Sequence, residues 1–179
     1  TGKLEFSDLA RSSAQKITET VKFYYSQLNT ISGQKRYELS MSVDDVNRYI
    51  DKIEDLNKSI QYETAQGNPT NELLDTRNLY LDKLSGQLNI TTQNNADGTI
   101  SIKCGSNYLI DAAKAKKAPL SLDDSSGITK VVTEDGQLEV NSGAIMGFLE
   151  LLDGKGDFAG DGEGDFYGIP YYLESLDRF

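Results

Sequence analysis

The sequence predicts an α+β fold, an elongated antiparallel helical bundle with a coiled-coil-like body and a small inserted antiparallel β subdomain. Two observations indicate this class. Apolar residues recur every three or four positions over the first half of the 179-residue chain, which is the period of an amphipathic helix. From residue 87 onward the period changes to two, with turn residues between short apolar runs, as in antiparallel strands. We therefore predict a helical body over 1–86, a β subdomain over 87–141, and helices over 142–179 that return to the helical body.

The first helix is predicted to run from about residue 4 to residue 31, and Ser32-Gly33-Gln34 is predicted to end it. Its apolar residues are spaced four and three apart, and they are Ala10, Ala14, Ile17, Val21, Tyr24, Leu28 and Ile31. An unbroken heptad repeat is typical of a helix that lies along a partner helix. The spacing leaves two partners open, which are a helix predicted at 43–66 and another subunit.

The second helix is predicted over residues 43–66. Ser42 is placed to cap it, and Asp44 and Asp45 put negative charge on its first turn, which the helix dipole favours. One apolar stripe along it consists of Val46, Tyr49, Ile50, Ile53, Leu56 and Ile60. We expect this stripe to face the next helix, which begins after Gly67-Asn68-Pro69.

The third helix is predicted over residues 70–85. Its apolar face carries Leu74, Leu81 and Leu84, with Leu73 and Tyr80 beside them. Arg77 lies on the same stripe, so we expect it to form an interhelical ion pair or to cap carbonyl groups. Asp75, two residues away, points to a different side of the helix.

The β subdomain is predicted to begin with a hairpin, in which LNITTQ and TISIKC are joined through Asp97-Gly98. Further short strands are predicted in NYLIDAAKA, APLSLDD, GITKVVT and QLEV. Lys114, Lys116 and Lys117 form a basic cluster, which we interpret as protection of a strand edge, with an anion site as the alternative.

A Gly/Asp-rich loop over 153–168 separates a predicted helix from Gly143 to about Leu152 and a last helix that begins at Ile169-Pro170. The loop repeats GKGDFAG as GEGDFYG and contains five carboxylates, on Asp153, Asp157, Asp161, Glu163 and Asp165. Carboxylates are calcium ligands. An EF-hand loop, however, needs glycine at its sixth position and glutamate at its twelfth, and a loop counted from Asp161 has Phe166 and Tyr172 there. We interpret the segment as a surface loop held by Phe158 and Phe166, and predict no metal site.

The composition excludes several functions. The formal net charge is −10, which disfavours nucleic acid and anionic membrane surfaces. The chain has no histidine, so histidine-based triads and metal sites are impossible. Cys104, with no histidine to activate it, is expected to be packed. A pair of carboxylates could still catalyse glycoside hydrolysis, but no tryptophan is present to wall a cleft. We predict no catalytic, cofactor-binding or metal-binding residues, no cofactor, and no enzyme.

Three blocks of sequence resemble a known family. The first block begins with a helix that carries Ile53, Leu56 and Asn57. It continues in the next helix with Asn71, Leu73, Leu74, Asp75, Arg77, Leu84 and Ser85, and it ends with the hairpin ADGTISIKCGSNYLID. The second is SGAIMGFLELLDG and the third is Ile169, Pro170, Tyr172, Leu176 and Asp177. In this order they resemble the bacterial flagellar hook-associated protein 1 family of hook–filament junction proteins. Asn78 stands where the family usually has aspartate, and the Gly/Asp-rich loop is longer than usual.

The resemblance implies a structural subunit of the extracellular flagellum. Its expected partners are itself in a ring, the flagellar hook protein, the second hook–filament junction protein and a flagellar export chaperone. It would be exported by the flagellar type III pathway without a cleaved signal, and this chain would be a trimmed fragment without the terminal segments. The alternatives are another axial protein, flagellin-like or hook-like, and a calcium- or glycan-binding module.

Overall fold

The computed structural model describes residues 2–158 and 166–178, and the side chains of residues 7–156, 158 and 166–178. The helices are α1 (Gly2–Gln66), α2 (Asn71–Gln87), α3 (Ala144–Asp153) and α4 (Ile169–Asp177). The strands are β1 (Ile90–Asn94), β2 (Ile100–Cys104), β3 (Asn107–Asp111), β4 (Lys116–Lys117), β5 (Ser121–Asp123), β6 (Lys130–Thr133) and β7 (Gly136–Gln137). The fold is α+β, as predicted. Within the described ranges no helix is both long and apolar enough to cross a membrane.

The chain consists of two compact units. One comprises Thr1–Arg36 and Leu151–Phe179, and the other comprises Tyr37–Glu150. All the described strands lie within the predicted limits of 87–141. The predicted three-part division into 1–86, 87–141 and 142–179 follows secondary structure, and whether those parts are domains stays a prediction.

The predicted break in the first helix is wrong, because α1 continues through Ser32-Gly33-Gln34 to Gln66. A single interior glycine costs a helix about 1 kcal/mol. The segment that follows it, QKRYEL, is rich in helix-forming residues, so propagation outweighs that cost. Ser42 therefore lies inside a helix and is not a cap. Since residues 10–31 and 43–66 belong to one helix, they do not pack against each other as an antiparallel pair.

The buried face of the second half of α1 follows its own heptad spacing. The fully or almost fully buried residues are spaced four and three apart, and they are Leu39, Val43, Val46, Ile50, Ile53, Asn57 and Ile60. The predicted stripe shared Val46, Ile50, Ile53 and Ile60 with this face. It also included Tyr49 and Leu56, which are only half-buried, because a search for apolar residues alone passes over Asn57. The buried face is thus rotated slightly from the predicted one.

The strands form two antiparallel sheets, one in the order β1-β2-β3-β4 and one in the order β5-β6-β7. The predicted hairpin is confirmed. β1 pairs with β2 from Ile90–Cys104 to Asn94–Ile100, and Gly98 in the connecting turn has φ +81°, which favours glycine. NYLIDAAKA is not one strand, because the Asp111 carboxylate accepts a hydrogen bond from the Lys114 amide and starts a short 3₁₀ turn.

The two terminal helices begin close to their predicted positions. α3 follows Gly143, which has φ +92° and lies so close to the backbone of Gln87 that a Cβ atom would be 2.4 Å from its carbonyl oxygen. Only glycine fits this position. α4 has Pro170 in its first turn, where the missing amide hydrogen costs nothing.

We predict that Ile53→Asp unfolds the unit of residues 37–150. The Ile53 side chain has no exposed surface, so the substitution buries an unpaired charge and should lower the free energy of unfolding by roughly 3 kcal/mol or more. Thermal unfolding followed by circular dichroism measures the change. Ser59→Asp places the same residue on the exposed side of the helix and should have little effect. An unchanged melting temperature for Ile53→Asp would show that the face is assigned incorrectly.

Candidate functional site

The heptad face of residues 10–31 is exposed. Every described side chain from residue 7 to residue 20 is exposed, and Val21 and Leu28 are half-buried. Large apolar side chains are open to solvent on this part of α1, namely Leu9, Ile17, Phe23, Tyr24, Tyr25 and Ile31. Ile17 is 51% and Tyr24 is 54% exposed. Contiguous exposed apolar surface typically marks a binding site for another protein.

This face does not continue directly into the buried one. The last heptad residue of the exposed face, Ile31, and the first residue of the buried face, Leu39, are eight positions apart, one more than a heptad. The register of the heptad pattern therefore shifts by one residue between these two positions. This interval contains Gly33, where the sequence predicted a break.

A groove lies beside the exposed face. It has a volume of about 710 Å³ and is lined by Val21, Lys22, Tyr25, Ser26, Asn29, Thr30 and Asp177. Its walls mix aliphatic, aromatic, hydroxyl and amide groups with one ammonium group, on Lys22, and one carboxylate, on Asp177. It therefore contains no concentration of groups that could act as acids, bases or nucleophiles.

The ends of the Gly/Asp-rich loop are held together by main-chain hydrogen bonds. The Gly156 amide donates to the Phe166 carbonyl at 2.9 Å, and the Gly168 amide donates to the Gly154 carbonyl at 3.0 Å. Phe158 stacks on Tyr171, with ring centroids 5.2 Å apart, so its predicted anchoring role is confirmed. Phe166 is 45% exposed and contributes to the anchor through its backbone.

The calcium alternative falls mainly outside the described residues. Asp161, Glu163 and Asp165, and the side chain of Asp157, are among the residues the structure does not describe. In the described part of the chain, no three acidic or cysteine side chains come together in a way that could hold a metal ion. The prediction that this loop has no metal site stays a prediction.

Arg77 caps oxygen atoms and does not form the ion pair that was the other expectation. Its guanidinium Nη1 donates to the Gly98 carbonyl at 2.8 Å and to Asn57 Oδ1 at 3.0 Å. The side chain is only 5% exposed, and this burial lowers the pKa of Arg77. Asp75 is exposed, as expected from its position two residues away.

Asn57 is the centre of this buried network. Its Nδ2 donates to the Ile100 carbonyl at 2.8 Å, and its Oδ1 accepts the Ile100 amide at 3.0 Å. The side chain thus pairs with both main-chain groups of one residue of β2, as a neighbouring strand would. With Arg77 on the same Oδ1, it joins α1, α2 and the first hairpin.

Two other asparagines bind main chain in the same way. Asn47 donates to the Leu120 carbonyl at 2.9 Å and accepts the Leu120 amide at 2.7 Å. Asn89 donates to the Glu139 carbonyl and accepts the Asn141 amide. None of these three asparagines was predicted from the sequence as a main-chain ligand. The available signal was an asparagine at a heptad core position, which typically fixes register, and Asn57 occupies such a position.

The basic cluster pairs with acidic residues. Lys114 contacts Asp111 at 3.0 Å, Lys116 contacts Glu134 at 3.0 Å and also Asp135, and Lys117 contacts Asp51 at 2.6 Å and Glu54 at 3.2 Å. Lys116 and Lys117 make up β4, which is an edge of its sheet. Their ammonium groups are already ion-paired with carboxylates of the same chain. This pairing favours a role in protecting the strand edge over a role in binding an anion.

Cys104 is packed, as predicted. It has no exposed surface, and its Sγ lies 3.5 Å from the Glu139 carbonyl oxygen. Burial, with a smaller contribution from the charge of Glu139, raises the pKa of the Cys104 thiol to about 11. A thiol with this pKa is almost fully protonated near neutral pH and is a poor nucleophile.

Known proteins resemble this chain in sequence and in fold. The family model described as the flagellar hook-associated protein FlgK helical domain matches residues 3–161. Flagellar hook-associated protein 1 of Bacillus subtilis (strain 168) is 26% identical over 163 residues, which covers 76% of this chain and 31% of that protein. The structure of the flagellar hook junction protein FlgK from Burkholderia pseudomallei has a TM-score of 0.61 at 21% identity, and covers 70% of this chain and 25% of that chain. The chain thus spans about a third of the length of the curated relative.

We predict that Asn57→Leu destabilises the protein by about 2–4 kcal/mol, although leucine fills a similar volume. The substitution leaves the Ile100 main chain and the Arg77 guanidinium with unsatisfied buried groups, each of which costs about 1–3 kcal/mol. Denaturant unfolding measures the free energy. Asn78→Leu, at an exposed position of α2, is the control. Equal stabilities of the two variants would contradict the role given to the amide.

We also predict a pH-dependent contribution from Glu54, which is 17% exposed and contacts Lys58 at 2.9 Å as well as Lys117. The hydrogen bond from Lys58, followed by that from Lys117, lowers the pKa of Glu54. A lowered carboxyl pKa stabilises the fold above the unfolded-state value, about 4.3, and this stabilisation is lost as the pH falls through the lowered pKa.

Glu54→Gln should therefore lower the melting temperature at neutral pH, and the difference from the parent protein should shrink as the pH is lowered from about 5 to below 4. Asp55→Asn removes one negative charge at an adjacent exposed position and is the control. If the difference in melting temperature between Glu54→Gln and the parent protein stays constant across this pH range, the ionised carboxylate of Glu54 contributes nothing to stability.

Proposed function

The chain belongs to the flagellar hook-associated protein FlgK family, whose helical domain it matches over residues 3–161, and on this premise we propose that it is part of a structural subunit of the bacterial flagellum. In this proposal the subunit forms the junction between hook and filament. The observation that carries the proposal, beyond family membership, is the exposed heptad face of residues 10–31.

The exposed face supports a packing role. A buried heptad face already holds residues 39–60 of the same helix in its compact unit. The second heptad face, with Ile17 51% exposed and Tyr24 54% exposed, has the spacing that suits a partner helix. Burial of a fully exposed apolar side chain contributes about 1.5–3 kcal/mol. Because these side chains are half exposed, each can contribute about half of that to assembly.

The finer parts of the proposal concern partners and location. The subunit would contact further copies of itself in a ring, the flagellar hook protein and the second hook–filament junction protein, and an export chaperone before assembly. It would reach the extracellular flagellum through the flagellar type III export pathway. A net charge of −10 supports protein partners over nucleic acid or anionic lipid.

We further propose that the subunit has no enzymatic activity. Two of the buried polar side chains, Asn57 and Arg77, are hydrogen-bonded to main chain and to each other. The cysteine thiol is buried and protonated. Groups arranged in this way hold elements together, and they are not positioned to act as a nucleophile or a general base.

A second candidate is another axial role, flagellin-like or hook-like, because long helices with exposed heptad faces suit any subunit of the axial structure. The two candidates place the subunit in different parts of the flagellum. The location of the protein in isolated flagella therefore separates them.

We expect antibodies against residues 37–150 to label a single narrow band between hook and filament when isolated flagella are viewed by electron microscopy. Label along the whole filament would support a flagellin-like subunit, and label along the hook would support a hook-like subunit. Either of those results, or unlabelled flagella, would contradict the proposed junction role.

The same assay tests the exposed face when the full-length protein carries Ile17→Asp and Tyr24→Asp. We expect loss of the junction band with an unchanged melting temperature of the purified protein, because the two side chains are exposed before assembly. Ser12→Asp and Gln15→Asp lie on the opposite side of α1 and should leave the band intact. A normal band with the first pair of substitutions would exclude this face from assembly.

A further inference from the structure

Strand β1 forms an open edge of its sheet. It pairs only with β2 in the sheet order β1-β2-β3-β4, and its residues Thr91, Thr92, Gln93 and Asn94 are all exposed. Every second residue of an edge strand directs its amide and carbonyl groups away from the sheet, where they can pair with another strand.

The usual devices that block strand pairing are missing from this edge. β1 reads ITTQN, with no charged residue and no proline. Its pairing with β2 is regular over all five residue pairs, and the irregularity of the sheet lies between β2 and β3. By contrast, the opposite edge, β4, has two residues, and both are lysines. Lysine on an edge strand discourages pairing with another chain.

The charge distribution indicates which partner this edge accepts. The chain carries a net charge of −10, so two copies repel each other over most of their surfaces. Residues 89–96 contain no charged side chain, and a polar hollow of about 210 Å³ beside β1 contains the cation Lys103. The Lys103 ammonium lies 4.2 Å from the centre of the Tyr108 ring. At this edge two acidic copies repel each other least, because neither β1 strand carries a charge.

We propose that β1 pairs antiparallel with β1 of a second copy of this chain. A two-fold axis at Thr92, the middle residue, gives the longest overlap and places Thr92 opposite Thr92 and Thr91 opposite Gln93. Each of these pairs is uncharged and β-compatible. The two four-stranded sheets become one continuous eight-stranded sheet.

This contact has a consequence for assembly. A two-fold contact between identical edges closes on itself and cannot propagate into a ring. The dimer is therefore a form of the unassembled protein, in which the edges protect each other. Five-residue strands also bury much less than the roughly 1,200 Å² of a typical stable interface, so the dimer dissociates on dilution.

The test uses the full chain with Ile17→Asp and Tyr24→Asp, which removes association through the exposed face of α1. Sedimentation velocity over a series of concentrations should show monomer at the lowest concentration and dimer at the highest. Hydrogen exchange of the amides of residues 90–94 should slow as the dimer forms. Because this variant lacks the proposed assembly face on α1, the absence of a dimer would contradict the pairing of β1 and would not bear on the proposed junction role.

Thr92→Lys should abolish the dimer, because it places two lysines directly opposite each other. Ser106→Lys, in the exposed β2–β3 turn, makes the same change in net charge and should leave the dimer intact. Gln93→Lys replaces the first variant if circular dichroism shows that Thr92→Lys does not fold. Monomer at every concentration, a dimer that survives Thr92→Lys, loss of the dimer in Ser106→Lys, or a dimer without slower exchange in β1 would each overturn the proposal.

Discussion

The pairing of the Asn57 amide with the main chain of Ile100 is the constraint on which the unit of residues 37–150 depends. One side chain, 4% exposed, binds the amide and the carbonyl of Ile100 and accepts a hydrogen bond from the guanidinium of Arg77. Removal of the Asn57 amide leaves the amide and carbonyl of Ile100 buried without a partner and takes one acceptor from Arg77. Such a loss costs more than the hydrogen bonds themselves contribute. Such a network therefore fixes where α1 lies along the hairpin, while the apolar residues around it supply the bulk of the stabilisation.

The same helix has two apolar faces with different uses. Between Leu39 and Ile60 the face is covered by the chain itself, and asparagines at positions 47 and 57 bind main chain there. Between residues 10 and 31 the face is open. An open face of heptad spacing on a rigid helix offers a partner a preorganised surface, which lowers the entropy cost of association. This arrangement suits a subunit whose role is packing.

Periodicity predicted much of the fold, because helix and strand periods report directly which side chains are buried. The hairpin turn at Asp97-Gly98 and the start of α4 at Ile169 followed from local preferences. The break at Gly33 did not, since the helix-forming residues on both sides outweigh one glycine. The packing partners of residues 43–66 were predicted only in part. The predicted partner α2 does contact them, since Arg77 binds Asn57 and the ring centroids of Tyr49 and Tyr80 lie 6.1 Å apart. β2, bound through Asn57, and the segment before β5, bound through Asn47 at Leu120, also pack against this part of the helix. A hydrophobicity pattern gives such polar residues no weight. Arg77 could be placed on the stripe, but its acceptors depend on a turn that is distant in sequence.

Native-state hydrogen exchange in graded denaturant most directly tests the claim that these asparagines hold the unit together. The amide of Ile100 donates to Asn57 of α1, and the amide of Leu120 donates to Asn47 of α1. If these asparagines hold the unit together, both amides should exchange only when residues 46–60 of α1 unfold, with the same opening free energy. Exchange of Ile100 and Leu120 through a much smaller local opening, while the helix stays protected, would contradict the account.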